Sequence, residues 1–189
     1  VVSEFEEESL ERAITIAVVL MQHVASTGRL AKAVIVEGEL SDIKGCYPQE
    51  VMNELSYDHS VTLQSGRMNI FPVMGTALIR AAKIDKTSPS GPLLIIEKSK
   101  YKRIPSHIPI HEVEGTELLS INWVIMVTDL LSQIQRQAGL TAQGADELLN
   151  LLNNYCVEHP LSDNWIKGVK TYLGANCVQQ CSTTVGIIS

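Results

Sequence analysis

Aromatic residues are scarce in this sequence, and long apolar runs are missing altogether. Aromatics make up 5% of the 189 residues although 45% are hydrophobic, so few side chains are available to stack on the bases of a nucleic acid. The longest unbroken apolar stretch runs from Ile16 to Met21, far short of the roughly 20 residues that cross a bilayer. No membrane span is expected. The four cysteines, Cys46, Cys156, Cys177 and Cys181, include no CxxC pair, and no Asn-x-Ser/Thr acceptor occurs. A chain of this length can hold its core without disulfides, so reduced thiols in a cytoplasmic setting are the expectation.

Recognisable catalytic motifs are missing as well. The chain contains no GxSxG elbow, GxGxxG fingerprint, P-loop, HExxH or EF-hand pattern, which removes the signatures whose chemistry follows from spacing alone. No cofactor and no metal are expected. The opening residues, Val1-Val2-Ser3-Glu4-Phe5-Glu6-Glu7-Glu8, are acidic where a secretory signal carries a basic region. A processed chain beginning at Val would read the same way.

What is present is an uneven charge distribution. The total of −6 divides into −7 over residues 1–60, +6 over 61–110 and −5 over 111–189. The chain is a basic middle between acidic ends, which suits charge pairing with a partner.

Hydrophobic spacing predicts a single α+β domain over 1–189: helical over 1–57, mainly β over 59–113 and helical over 120–181. Ser3 and Glu6 form a capping box, after which Leu10, Ala13, Ile14, Ala17, Val18, Met21, Val24 and Ala25 recur at helical spacing. The spacing predicts a buried N-terminal helix from about Glu4 to Ser26. Ile16, Val19 and Leu20 lie off the stripe, so its middle is apolar nearly all round. Residues 30–40 read equally as a short helix or a strand, and Pro48 opens a short helix that ends near Tyr57.

Short β-branched runs at Ser60–Leu63, Met68–Val73, Thr76–Ile84, Leu93–Glu97 and Arg103–Val113 predict a central antiparallel sheet, with Thr76–Ile84 readable as a helix too. Three amphipathic helices follow, capped by Asn122, Thr141 and Ser162 and running to Gln137, about Glu158 and about Cys181. Short connectors predict antiparallel packing among them, with Trp123, Leu149, Trp165 and Val169 buried at the contact.

Four constellations carry the candidate chemistry. Lys98, Lys100, Lys102 and Arg103 form the densest basic run; on an extended strand the three lysines project on one face. A lysine-protected edge strand is the leading explanation, followed by an anion or partner surface and then by a nucleic-acid comb. His107 and His111 have helical metal spacing, but Pro105 and Pro109 oppose the helix that would join them. Tyr57, Asp58 and His59 place an acid beside a base, although chain neighbours usually point apart. Cys177 and Cys181 continue an apolar stripe and read as core, as does Cys156 beside His159.

The leading functional expectation is a non-catalytic interaction or assembly protein, either a structural subunit or an oligomeric adaptor, that binds a protein partner or itself. The first alternative is an enzyme with a polar pocket near His59, His107 and His111, drawing on Asp58. The second is a nucleic-acid-binding module using residues 98–103.

Overall fold

The computed structural model describes residues 9–39, 41–42, 49, 60–63, 66–69, 73–140 and 142–177. The chain divides into two compact units, one formed by Val1–Ile35 with Thr87–Ser189 and the other by Val36–Lys86. Helices and a four-stranded mixed sheet make the protein α+β.

Helix α1 (Ser9–Ser26) realises the first apolar stripe: Leu10, Ile14, Val18, Met21 and Ala25 are all buried. The off-stripe positions divide, since Val19 is buried while Leu20 is 51% exposed. The chain itself therefore covers most of the apolar surface that the sequence left without a partner. The open segment after α1 resolves as strand β1 (Ala33–Ile35).

Strand β1 lies parallel to β6 (Leu94–Glu97), with Ala33 opposite Leu94. Strand β6 pairs antiparallel with β8 (Leu118–Ile121), and β8 with β7 (Ile110–Val113), giving the order β1-β6-β8-β7. The sheet is thus mixed where a purely antiparallel one was expected. The sequence reading also passed over β8, whose Leu118-Leu119-Ser120-Ile121 is buried throughout. A strand packed on both faces loses the alternation by which strands are read.

The second unit contains β2 (Ser41–Asp42) paired antiparallel with β5 (Val73–Met74), and a ribbon of β3 (Ser60–Leu63) with β4 (Gly66–Asn69). Helix α2 (Thr76–Thr87) begins there. The structure thus selects the helical reading of Thr76–Ile84. The Thr76 hydroxyl accepts a hydrogen bond from the Glu39 amide at 3.0 Å. The expected Pro48 helix, apart from Gln49, lies outside the described residues.

Between β6 and β7, Lys98–Arg103 forms a 3₁₀ turn rather than a strand. The Lys98 amide reaches back to the Glu117 carbonyl at 2.9 Å and the Ile104 amide to the Tyr101 carbonyl at 3.1 Å, while buried Ile104 and Ile108 draw the following chain inward. Only Ile110–Val113 of the Arg103–Val113 run is extended.

The C-terminal helices start and stop differently from expectation. Asn122 does not cap a helix; its Oδ1 accepts from the Val124 amide at 3.2 Å and shapes a turn. Helix α3 (Asp129–Gln137) starts later, where Thr128 Oγ1 accepts from the Leu131 amide at 3.0 Å. Helix α4 (Ala145–Glu158) follows Gly144, whose amide donates to the Glu147 carboxylate at 3.1 Å. Thr141, the expected cap, lies outside the described residues. Helix α5 (Asp163–Leu173) has the expected cap, Ser162 Oγ accepting from the Trp165 amide at 3.3 Å. It ends at Gly174, in the left-handed conformation at φ 76°, which glycine adopts without a Cβ penalty.

The three helices do not form a bundle of their own. Helices α3 and α4 both pack on α1. At α5, a Cβ on Gly168 would meet the Ser90 carbonyl oxygen. The helix therefore lies against the loop before β6 only because that position lacks a side chain. Trp123 and Val169 are buried as expected, whereas Leu149 and Trp165 are only half-buried.

The thiol expectation is corrected too. Cys156 and Cys177 form a disulfide with their Cα atoms 5.5 Å apart, within the range a disulfide spans. Because α5 ends at Leu173, Cys177 leaves the helical stripe and turns back onto α4. Such bonds persist in oxidising compartments and are rare in the cytosol, so this pair does not favour the cytoplasmic setting. Cys46 and Cys181 lie outside the described residues. Among the described residues, no helix is long and apolar enough to cross a membrane.

Candidate functional site

The basic run is displayed as a turn, which changes its geometry. In a 3₁₀ helix residues three apart lie above one another, so Lys98 aligns with Tyr101, Ser99 with Lys102 and Lys100 with Arg103. The expected single-faced lysine comb does not form. Lys98 is drawn sideways: its Nζ lies 2.7 Å from Glu112 Oε2 on β7. That hydrogen bond, opposed by partial desolvation and helped by the nearby charges of Glu112 and Glu117, raises the Lys98 ammonium above its ordinary pKa. A raised lysine pKa favours the charged form at neutral pH, and this contribution fades only as alkali deprotonates the amine. Lys98 thereby anchors the turn to the sheet. Beyond the anchor, Tyr101, Lys102 and Arg103 are exposed and Lys100 is half-exposed.

The two histidines are separated by environment. His107 sits in the loop before β7, its Nε2 3.3 Å from Glu11 Oε1 on α1. His111 is exposed on β7, opposite Ser120 in the ladder. The Ser120 hydroxyl is buried and has no hydrogen-bond partner among the described residues, so it forms no hydrogen-bonded nucleophile–base pair with His111. Tyr57, Asp58 and His59 lie outside the described residues. Among the described residues, no three metal-binding side chains cluster.

Glu11 and His107 border an open cleft of about 570 Å³, together with Val127, Thr128, Asp129, Leu130 and Ser132. Its two hydroxyls serve the start of α3: Thr128 Oγ1 takes the Leu131 amide, and Ser132 Oγ donates to the Thr128 carbonyl at 3.2 Å. The cleft is thus an acidic and apolar surface in which the hydroxyls already have partners. Val127 at its rim is 78% exposed. Sequence reading missed this site because its walls come from α1, the loop before β7 and the start of α3.

A buried polar relay joins α3, α1 and the turn after β8. Gln135 Nε2 on α3 donates to Gln22 Oε1 on α1 at 2.9 Å, and Gln22 Nε2 donates to the Trp123 carbonyl, also at 2.9 Å. Trp123 in turn donates its indole N–H to the Pro92 carbonyl at 2.7 Å. Each of these three N–H donors finds an acceptor, which makes such a relay a specifying contact rather than a cost.

No known protein family, curated protein or solved structure matches the chain.

Proposed function

We propose that this chain is a non-catalytic interaction protein, a structural subunit or oligomeric adaptor, whose contact surface includes the turn Lys100-Tyr101-Lys102-Arg103. The observation supporting this reading is Tyr101, a large aromatic 56% exposed between cations. Tyrosine and arginine are the residue types enriched where proteins meet. The turn is held at one end by the Lys98–Glu112 pair and at the other by buried Ile104, so little ordering is left for binding to supply. The partner that suits such a surface is an acidic polypeptide.

Polyglutamate serves as the test probe, titrated against wild type, K100Q/K102Q/R103Q and Y101A. Wild type is expected to bind at low salt, with the triple variant at least about tenfold weaker and a flatter salt dependence. Y101A is expected to weaken binding while leaving the salt dependence unchanged. Equal binding by wild type and the triple variant would overturn the assigned surface. Tighter binding to a single-stranded polynucleotide than to polyglutamate, with a steep salt slope, would instead favour the nucleic-acid alternative.

A further inference from the structure

Lys102-Arg103 is the one pair of adjacent basic residues in the chain, and Lys100 stands two positions before Lys102. In an extended strand Lys100 and Lys102 project on one side and Arg103 on the other. Three cations at fixed spacing therefore precede a single peptide bond, Arg103–Ile104. That is the pattern read by an endoprotease with acidic subsites for paired basic residues: arginine fills the pocket at the cut bond, lysine the next, and lysine again two further on.

Placement matters as much as pattern. Exposed turns are where chains are nicked, because a protease draws several residues into an extended strand before it cuts. No residue of the Lys98–Arg103 turn is buried, and 3₁₀ hydrogen bonds have poorer geometry than those of an α-helix. Lys100 and Arg103 have contacts within the chain, which extension of the turn exchanges for the carboxylates of the protease. Between Lys98, anchored to Glu112, and buried Ile108, Ile104 is the one buried side chain. Local opening has little else to release.

The fold around the bond does not depend on it. Strand β6 ends before the bond and β8 begins after it, yet the two stay paired along their whole length, with Leu94 opposite Ile121 and Glu97 opposite Leu118. Helix α1 likewise packs on α3 and α4 from the other side of the cut. A break after Arg103 leaves 1–103 and 104–189 joined through the sheet and these helices.

We infer that the Arg103–Ile104 bond is a processing site for an endoprotease specific for paired basic residues. Water hydrolyses the amide, leaving a carboxylate on Arg103 and an amine on Ile104, and the product is a nicked protein of two associated pieces. Such cleavage is separate from the partner binding proposed above, and either holds without the other.

The folded, unreduced chain is digested with a limiting amount of a subtilisin-type endoprotease specific for paired basic residues, and the products are read by intact mass and N-terminal sequencing. One cut is expected, with a new N-terminus at Ile104 and pieces that co-elute on gel filtration until denaturant parts them. K102Q/R103Q leaves two acidic subsites unpaired and is expected to be cut there at least about a hundredfold more slowly. Two further variants, shown to be folded by circular dichroism, report whether the turn opens locally. E112Q releases Lys98 and is expected to speed cleavage about two- to fivefold, the scale of one surface ion pair. C156S/C177S loosens the fold elsewhere and is expected to leave the rate unchanged.

A chain that stays intact while folded would overturn the inference, as would a first cut at another bond or equal cutting of K102Q/R103Q. So would faster cleavage of C156S/C177S with an unchanged E112Q, because that order marks a bond reached only by global unfolding. Pieces that part in native buffer would overturn the associated product.

Discussion

Replacing Trp123 with Ala is expected to cost about 3–5 kcal/mol of folding stability, the range for removing a large buried aromatic. The side chain is 1% exposed, its indole N–H holds the Pro92 carbonyl, and its own carbonyl holds Gln22. W123A therefore leaves a cavity and an orphaned acceptor where the turn after β8 meets the loop before β6. W123F separates the two effects: it keeps most of the ring volume and forfeits the indole bond, at an expected cost of about 1–3 kcal/mol. Denaturant titration of the three proteins checks both values. A loss under about 1 kcal/mol for W123A would remove Trp123 from the core. Trp165, which the same helical spacing also assigned to the core, is half-buried and stacks on Tyr155 with ring centroids 5.9 Å apart.

Breaking the Cys156–Cys177 bond is expected to cost about 3 kcal/mol, because it releases a loop with a sequence separation of 21 residues to the greater freedom of an open chain. Both cysteines are buried, so a mild reductant is expected to act slowly on the native protein. Thiol labelling of the unfolded, unreduced chain is expected to find no more than two reactive thiols among the four cysteines, and the C156S/C177S variant is expected to match the stability of the reduced protein. Four reactive thiols without reductant would contradict the bond. Unchanged stability on reduction would show that it contributes nothing to the fold.

How far the sequence could be read depends on whether a signal is local. Helix α1 was legible because Leu10, Ile14, Val18, Met21 and Ala25 share one face and all five are buried. The Ser162 cap was legible because a hydroxyl accepting an amide three residues on is a local contact. Strand β8 was not, since a strand covered on both faces carries no alternation. The basic run was misread as extended for a related reason: what curls it is the pull of Lys98 toward Glu112 and the burial of Ile104 and Ile108, all tertiary contacts.

The candidate site follows the same division. Lys100, Lys102 and Arg103 could be singled out from charge density, and the structure displays them at the surface. The cleft had no sequence signal, because Glu11 meets His107 only after α1 and the loop before β7 have packed. The disulfide required knowing that Gly174 ends α5 before Cys177. The Gln22–Gln135 bond likewise joins two helices far apart in the chain, and nothing in the spacing of either helix announces it.

The interaction reading is tested most directly by the mass of the wild-type protein in solution, measured by sedimentation across a concentration series. One set is taken near 0.01 M salt, where charges act over about 30 Å, and another near 1 M, where they act over about 3 Å. Self-association is expected to appear as a concentration-dependent rise above the monomer mass at low salt, with a return to the monomer at high salt. A single monomer mass at every concentration and both salt levels, with no uptake of polyglutamate, would contradict the interaction reading.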